Sequence, residues 1–556
     1  MKKSLIKWTI KKIRRRIPAL LLLTLSQTVN ALFAVRFALG SRAVIDAAVL
    51  GDKDAFFRAC LVQGGIIAVI LLSLCLTRHL RDKLSAELER DWKRSLLHGL
   101  LHGDYAAVSA YHSGELVNRL NNDVAKFNDG VITLLPSAAS LLTRLVAALL
   151  VLGLLDLRFA LLICLVGVVA VAATAFVRRR LKELNKRVSE GDGKVSGFLQ
   201  ETLEKLLMVQ AMDVSAELER RSDLLLDARY ELQRKKKNVA LLGNTCISIM
   251  SYGAGFFALG WCAWRMLHGQ MSFGSLTAVI QLVNQLQMPF VNLSGVMPKY
   301  IAMLASAERL MELENIQGEP APAQESAAEM YRRMDCIRAE KLSFSYDREA
   351  VLSQASFELP KGCFAVITGP SGIGKSTLFK LMLGIFRPES GRLCLCGGEA
   401  VRELDRSTRR VFAYVPQGNL LFSGSLQDNL CLAKPDASEE EIAQAVYVSA
   451  MDEFLPQLPQ GLETVLGENG AGLSEGQAQR LSIARAILGG APVLLLDECT
   501  SALDEQTERK VLERIAALHE RSCIAVTHRP AALALADWHL ELDRGSLRAS
   551  AVEKKA

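Results

Sequence analysis

The sequence Gly369-Pro370-Ser371-Gly372-Ile373-Gly374-Lys375-Ser376-Thr377 fits the pattern G-x-x-x-x-G-K-[ST]. It lies between an apolar run, Phe364 to Thr368, that predicts a strand and a stretch from Leu378 that predicts a helix. Glycines let the backbone N–H groups converge on phosphate oxygens, and the helix N-terminus adds its dipole. Lys375 can reach the same oxygens, and the Ser376 hydroxyl can ligate Mg²⁺. The stretch therefore predicts a phosphate-binding loop, and its strand-loop-helix context argues against a chance glycine-rich turn.

The composition indicates a membrane protein. The chain has 556 residues, of which 50% are hydrophobic, and its mean hydropathy is +0.20. That is too apolar for an ordinary soluble enzyme, and the length suits two or three domains. The 12 cysteines are scattered without a paired framework, which favours reduced thiols. Cys394 and Cys396 are interpreted as free thiols on a strand rather than as metal ligands.

Six apolar runs predict membrane-spanning helices. The first follows an N-terminus with eight lysines and arginines among its first 16 residues. It is longer than a typical signal-peptide core, so an uncleaved span with a cytoplasmic N-terminus is favoured over a signal peptide. The predicted spans lie near residues 18–40, 59–77, 134–155, 160–177, 239–267 and 273–293.

The connections between the runs predict the topology. Three joins are short, and the tightest lie at Asp156-Leu157-Arg158 and near His268-Gly269-Gln270. The joins at 78–132 and 178–238 are long, rich in Lys and Arg, and helical in pattern. The positive-inside rule places the long joins, and both ends of the membrane part, in the cytoplasm. The helices are therefore expected to extend well beyond the bilayer.

The chain changes character after the last apolar run. Gln317-Gly318-Glu319-Pro320-Ala321-Pro322-Ala323 is a proline-bearing stretch of small residues, typical of a linker. From Cys336 onward, strand and helix patterns alternate to the C-terminus. The sequence thus predicts a transmembrane domain at 1–315, a linker at 316–334 and a nucleotide-binding domain at 335–556.

Two further motifs accompany the phosphate loop. Val493-Leu494-Leu495-Leu496-Asp497-Glu498 is an apolar strand that ends in two carboxylates. The first can hold Mg²⁺, and the second can polarise an attacking water. Before it lies Leu473-Ser474-Glu475-Gly476-Gln477, followed by Arg480-Leu481-Ser482-Ile483-Ala484-Arg485-Ala486. This stretch resembles the signature motif of ATP-binding cassette (ABC) transporters.

Other motifs fall in the order of that family. Tyr346 matches its adenine-stacking aromatic residue, and Gln417 in Tyr414-Val415-Pro416-Gln417 matches its Q-loop. Ser501-Ala502-Leu503-Asp504 matches the D-loop, and His528 matches the switch histidine. The resemblance implies the fold class: an α-helical membrane domain of six transmembrane helices with long cytoplasmic extensions, plus an α/β P-loop ATPase domain of the ABC type.

The membrane half resembles that of ABC exporters. His112-Ser113-Gly114-Glu115-Leu116-Val117-Asn118-Arg119-Leu120-Asn121-Asn122-Asp123 is similar to their first intracellular loop, and Phe198-Leu199-Gln200-Glu201-Thr202-Leu203-Glu204 to the second. The resemblance covers essentially the whole chain. It implies a half-transporter that works as a dimer, for which an identical partner is favoured and a paralogous partner stays open.

The resemblance also implies ATP hydrolysis across a head-to-tail pair of cassettes. Glu498 is then the general base on water, and His528 holds the γ-phosphate and that water in line. The signature residues arrive from the partner, so neither chain alone completes a site. The implied catalytic residues are Glu498, His528 and Gln417; the Mg²⁺ ligands are Ser376, Gln417 and Asp497; and the ATP-binding residues are Tyr346, the nine residues of the phosphate loop, Ser474, Gly476, Gln477 and Asp504.

Two positions depart from the family pattern. Glu475 stands where the signature usually has glycine, which places a carboxylate near the dimer seam. The backbone donors of Ser474 and Gly476 do not depend on that side chain, so a competent site is expected. Cys499 stands where alanine is common, and a small buried filler is favoured over a redox sensor.

The resemblance implies an ATP-driven exporter or flippase in the cytoplasmic (inner) membrane, resembling bacterial multidrug and lipid exporters. Its ATPase domain and both termini are then cytoplasmic, and its substrate is a small molecule, lipid or peptide, with an amphiphile favoured. An importer built on the exporter fold and a non-transport membrane ATPase stay open as alternatives. Six apolar runs argue against a soluble ATPase that acts on nucleic acid. A peptide-processing exporter is disfavoured because 17 residues precede the first span.

Polar residues within the spans predict a substrate path or helix contacts. Gln281, Asn284, Gln285 and Asn292 form one stripe of the sixth span, with interhelical bonding and cavity lining both open. Arg36 and Arg144 also lie within spans, whereas none of the six runs contains Asp or Glu. Arg144 can bond to carbonyls or amides or reach the membrane surface. The sharper hypothesis is an electropositive cavity for anionic or zwitterionic amphiphiles.

Overall fold

The computed structural model describes residues 2–319, 325–346, 349–398, 400–418, 421–467, 470–518 and 520–552, without the side chains at 2–4, 6, 168–179, 247 and 287–298. The chain divides into two compact units. The first comprises residues 1–99 and 113–315, and the second comprises residues 100–112 and 316–556. The short segment 100–112 thus belongs to the second unit.

Long helices form the first unit. Three joins between long helices are short: Gly51 and Asp52, Asp156, and residues 268–272. The helices between residues 2 and 314 are α1 (Lys2–Ile13), α2 (Ile17–Leu50), α3 (Lys53–Leu101), α4 (Tyr105–Ser109), α5 (Ser113–Asn118), α6 (Val124–Leu155), α7 (Leu157–Glu204), α8 (Leu206–Ala211), α9 (Ser215–Leu267) and α10 (Phe273–Glu314). Helix α4 and the last two residues of α3 belong to the second unit.

Side chains at the joins explain why the helices turn there. Asp156 caps α7 by accepting hydrogen bonds from the backbone N–H groups of Arg158 and Phe159. Ser272 caps α10 through the N–H of Ser275. Gly51 ends α2 in the left-handed conformation, at φ 75°, which glycine adopts without strain. The turns fall where the short joins were predicted.

Helices α2, α6 and α10 pack against one another, and α7 packs along α9. Among the described residues, four stretches are long and apolar enough to cross a membrane: Lys7–Leu50, Lys53–Leu101, Ser113–Leu155 and Ser215–Leu267. The other two predicted spans fall on α7 and α10, whose central side chains are not described. The count of six spans therefore stays a prediction.

Strands of the second unit form two main sheets and a short pair. They are β1 (Cys336–Tyr346), β2 (Glu349–Pro360), β3 (Phe364–Thr368), β4 (Ser390–Gly397), β5 (Ala400–Glu403), β6 (Phe412–Val415), β7 (Gly424–Ser425), β8 (Val465–Leu466), β9 (Val493–Asp497), β10 (Ser522–Val526), β11 (Trp538–Asp543) and β12 (Ser546–Ala551). The smaller main sheet is antiparallel, in the order β2-β1-β4-β5, the larger has the order β12-β11-β3-β10-β9-β6, and β7 pairs with β8. The later helices of this unit are α11 (Ala327–Arg333), α12 (Lys375–Met382), α13 (Leu426–Leu430), α14 (Glu439–Val448), α15 (Glu475–Leu488), α16 (Glu505–Ala516) and α17 (Pro530–Leu535).

The larger sheet is buried on both faces. Ala365 and Ile367 of β3 enter one apolar cluster, and Phe364 and Val366 enter another. Alternation of side chains along a strand explains this division. Such burial requires the near-continuous apolar runs seen in β3, β9 and β10.

Parallel pairing places the predicted motifs at one edge. Strand β10 lies between β3 and β9, and β6 pairs with β9, all in parallel. The phosphate loop follows β3, Glu498 follows β9, and Gln417 and His528 follow β6 and β10. Because the carboxyl ends of parallel strands share one edge, four separate stretches of sequence meet there.

Candidate nucleotide site

The phosphate loop has a backbone that its glycines make possible. Gly369 has φ 150° and Gly374 has φ 110°, both in the region that favours glycine. A Cβ at Gly369 would overlap the carbonyl of Leu542, and one at Gly374 would overlap the side chain of Val351. Helix α12 then begins at Lys375, so its N-terminus faces the loop.

Lys375 is buried and bends back over the loop. Its Nζ donates to the carbonyls of Gly369 at 2.6 Å and Pro370 at 3.0 Å. The same nitrogen lies 3.2 Å from Nε2 of His528. The structure thus brings together the lysine and the histidine, which are 153 positions apart in the sequence.

Asp497 is a buried carboxylate with one satisfied oxygen. The hydroxyl of Tyr414 donates to Oδ2 at 2.9 Å, whereas Oδ1 has no hydrogen-bond partner among the described residues. Burial raises the pKa of Asp497, a shift that hydrogen bonds from Ser376 and Tyr414 oppose. An unpartnered oxygen beside the Ser376 hydroxyl is the donor set that suits Mg²⁺.

Glu498 follows directly in a strained conformation. Its φ is 48°, in the left-handed region that non-glycine residues rarely adopt, and such strain is typical of functional sites. Its backbone N–H donates to the carbonyl of Val526 at 3.0 Å, which fixes the turn to the end of β10. Gln417 Nε2 donates to Oε2 of Glu498 at 2.8 Å, and Lys375 Nζ lies 3.9 Å from Oε1.

Tyr346 lies at the end of β1, beside α12. Its ring makes edge contacts with Phe344 and Phe386 at centroid distances of 5.1 and 5.5 Å. Its hydroxyl is 3.3 Å from Oγ1 of Thr377, the last residue of the phosphate loop. The ring is 40% exposed, which leaves area for an adenine to stack on.

The predicted signature residues form the start of α15. Ser474 and Gln477 make a reciprocal capping box, with hydrogen bonds of 2.9 and 3.3 Å. Gly476 packs close to the D-loop, since a Cβ there would lie 3.0 Å from the carbonyl of Ala502. Asp504 caps α16 by accepting a hydrogen bond from the N–H of Thr507 at 2.9 Å.

Comparison with known proteins identifies the family. Residues 17–290 match the description "ABC transporter transmembrane region", and residues 352–501 match "ABC transporter". A mycobactin import ATP-binding/permease protein of Mycolicibacterium smegmatis is 33% identical over 69% of this chain and 67% of its own length. The chain is an ABC transporter.

Other ABC transporters cover more of the chain at lower identity. An ATP-dependent lipid A-core flippase of Vibrio cholerae is 26% identical over 84% of this chain and 80% of its own. A solved structure, a bacterial Atm1-family ABC exporter with ATP bound, superposes with a TM-score of 0.79 at 25% identity, over 97% of this chain and 95% of that one. The predicted family and fold class are therefore confirmed. This half-transporter is a membrane protein that binds and hydrolyses ATP and requires a partner half.

The two departures from the ABC pattern differ in their surroundings. Glu475 is exposed in the first turn of α15. Cys499 is buried within the apolar cluster that also contains Leu494 and Leu496. Burial raises the pKa of the Cys499 thiol to about 12, and a thiol of this kind is chemically inert at neutral pH.

Two contributors to the site escaped the sequence interpretation. The Q-loop motif assigns no role to Tyr414, yet the hydroxyl of Tyr414 donates a hydrogen bond to Asp497. Arg529 follows the switch histidine, and its guanidinium donates to the D-loop carbonyls of Ser501 at 2.6 Å and Leu503 at 2.9 Å. In the sequence, the one indication of these roles is that each residue is polar and lies close to a motif residue.

Proposed function

We propose that this ABC transporter exports or flips an anionic or zwitterionic amphiphile across the cytoplasmic membrane as one half of a homodimer. Arg144 of α6 carries the proposal on substrate charge. An arginine at the centre of a membrane helix costs about 2.5 to 3.5 kcal/mol and normally finds a partner. Nε of Arg144 is buried, however, and has no hydrogen-bond partner among the described residues.

Helix α10, which packs against α6, also carries buried polar atoms without partners among the described residues. The Oε1 atoms of Gln281 and Gln285 are buried and lack partners in the described part of the chain. Gln285 Nε2 donates to the carbonyl of Ala34 at 2.7 Å, so this side chain also bonds α10 to α2. Asn284 is exposed, and the side chain of Asn292 lies outside the described residues. The Arg144 Nε–H can donate to an anionic headgroup oxygen, whereas the two glutamine oxygens can accept from an ammonium or hydroxyl group of a zwitterionic headgroup.

ATP hydrolysis is assigned to the residues at the carboxyl edge of the larger sheet. Lys375 and the loop amides bind the phosphates, while Tyr346 stacks on the adenine. Asp497 and Ser376 would hold Mg²⁺, with Gln417 as a third ligand, and the bound ion would neutralise phosphate charge. Glu498 takes the proton of the attacking water, and His528 orients the γ-phosphate.

The partner completes each ATP site. Ser474, Gly476 and Gln477 sit at a helix N-terminus, where N–H groups and the helix dipole favour a phosphate. We assign them, with Asp504, to the nucleotide bound by the opposite cassette. ATP binding then closes the cassettes, and hydrolysis lets them separate, which alternates the access of the cavity between the two sides of the membrane.

Amphiphiles of matched size test the proposed substrate charge. In the reconstituted protein, an alkyl phosphate should stimulate ATP hydrolysis more than an alkyl trimethylammonium of equal chain length. Arg144→Gln should remove that preference, and the control Arg58→Gln, at an exposed position of α3, should keep it. Stronger stimulation by the cation, unchanged in Arg144→Gln, would contradict the assignment.

Import is a second candidate, favoured by the 33% identical mycobactin import protein. ATP-dependent transport into inside-out vesicles, screened over drugs, lipids and peptides, distinguishes the two directions. Accumulation in inside-out vesicles supports export. Accumulation confined to right-side-out vesicles would support import.

A further inference from the structure

An open cavity of about 870 Å³ lies between the N-terminal helix α1, the cytoplasmic extension of α3 and the end of α10. Four cationic side chains and two carboxylates line it, together with two tryptophans. The lining comprises Trp8, Lys11, Lys12, Arg15, Arg16, Leu88, Asp91, Trp92, Ser95, Glu314 and Asn315. The cavity therefore has an excess of positive charge.

Existing contacts neutralise both carboxylates. Lys12 pairs with Glu314, which also accepts a hydrogen bond from Trp8 Nε1 at 2.7 Å. Arg16 pairs with Asp91 at 2.8 Å and also with Glu87, which lies outside the lining. These bonds hold the cavity walls in place and leave two cations of the lining uncompensated.

Lys11 and Arg15 are those two cations. They stand four residues apart, and both side chains are exposed. Neither forms an ion pair with any residue that the structure describes. Arg15 is three residues before Pro18, where the first apolar run begins, so this side of the cavity lies near the membrane surface.

Aromatic side chains form one wall of the cavity. The rings of Trp8 and Trp92 contact each other at 5.3 Å and both contact Phe127, at 5.7 and 5.1 Å. Tryptophan beside basic side chains is the combination that suits the lipid–water boundary. The cavity thus offers positive charge for a headgroup and an aromatic surface for its glycerol and upper acyl carbons.

We infer that this cavity binds the headgroup of an anionic phospholipid, with Lys11 and Arg15 on the phosphate and the Trp8–Trp92 pair beneath it. The site is separate from the substrate path proposed through Arg144.

Short-chain lipids provide the test. The full-length protein in neutral detergent is titrated with dioctanoyl phosphatidylglycerol or dioctanoyl phosphatidylcholine while thermal unfolding is followed. We expect saturable stabilisation by phosphatidylglycerol alone. Lys11→Gln/Arg15→Gln should weaken this response about thirtyfold, since each cation near a lipid surface contributes about fivefold.

Matched controls make the result decisive. Lys7→Gln/Arg14→Gln makes the same charge change at two exposed positions outside the cavity and should leave the response intact. Equal weakening in both double variants would indicate unspecific charge attraction and overturn the inference. An equal response to phosphatidylcholine, or a full response to glycerol 3-phosphate or inorganic phosphate, would overturn it too. Arg144→Gln should respond normally, so the export proposal can fail independently.

Discussion

Arg529 and Glu508 form an ion pair beneath the D-loop. Nη1 of Arg529 lies 3.1 Å from Oε2 of Glu508, and Oε1 accepts a hydrogen bond from Thr500 at 2.7 Å. Glu508 is fully buried, so its charge depends on these partners. The Glu508 carboxylate therefore bonds both to Thr500, in the turn after Glu498, and to Arg529, which follows His528. Arg529 in turn donates to the D-loop carbonyls.

Glu508→Gln should slow ATP hydrolysis more than it weakens ATP binding. The substitution removes the charge that holds Arg529 and, with it, the geometry of Glu498 and His528. We expect a fall in kcat with little change in KM, and a loss of stability of about 2 kcal/mol. Glu505→Gln, at an exposed position of the same helix, is the control. A wild-type kcat in Glu508→Gln would show that the ion pair does not position the site.

Glu498→Gln should bind ATP and trap the closed dimer. The general base is lost while the phosphate contacts of Lys375 remain, so hydrolysis falls by about 10² to 10⁴. Lys375→Ala should instead weaken nucleotide binding itself. Binding of labelled ATP and turnover, measured on both variants, separate the two effects. Wild-type turnover in Glu498→Gln would refute the assignment of the base.

Tyr414→Phe should raise the Mg²⁺ concentration that half-maximal ATP hydrolysis requires, by about tenfold or more. The hydroxyl of Tyr414 orients the Asp497 carboxylate, and groups that orient metal ligands typically affect affinity on this scale. Titration of ATPase activity with Mg²⁺ measures the change. Tyr447→Phe, at an exposed position, should have no effect. An unchanged Mg²⁺ requirement in Tyr414→Phe would show that the Tyr414 hydroxyl does not orient a Mg²⁺ ligand.

Asp123 should make the stability of the first unit sensitive to acid. Burial raises the pKa of Asp123, but hydrogen bonds from Arg309 and Ser306 outweigh it, so the pKa lies below its usual value. A depressed pKa contributes stability above the unfolded value, about 3.9, that is lost as the pH falls through the folded value. Asp123→Asn should lower the thermal midpoint at neutral pH and flatten its acid dependence. Asp82→Asn, at an exposed position, should do neither.

Gln285→Leu should reduce stability by about 1 kcal/mol, because the hydrogen bond from α10 to the Ala34 carbonyl is lost. If Gln285 also lines the substrate path, the preference among amphiphiles changes as well. Thermal unfolding and amphiphile-stimulated ATP hydrolysis are measured on the same preparation, with Asn244→Leu, at an exposed position of α9, as control. A change in preference without loss of stability would argue that cavity lining is the main role of Gln285.

The sequence alone determined the phosphate loop, the carboxylates after β9 and the short turns between helices. Each depends on residues close together in the chain: glycines that permit positive φ, an apolar strand before a polar end, or a capping side chain such as Asp156. The resemblance to the family, with its motifs in the same order, predicted the Q-loop, the D-loop and the switch histidine. Because the residues of each motif are neighbours in the chain, a single sequence is enough to predict these features.

Only the tertiary structure decided which distant side chains touch. Lys375 meets His528, and Tyr414 meets Asp497, because β10 lies between β3 and β9 and β6 flanks β9. Strand order is set by packing of the whole domain, and no local pattern encodes it. The same reason explains why the Glu508–Arg529 pair was not predicted, and why residues 100–112 belong to the second unit rather than to the helices that surround them in the chain.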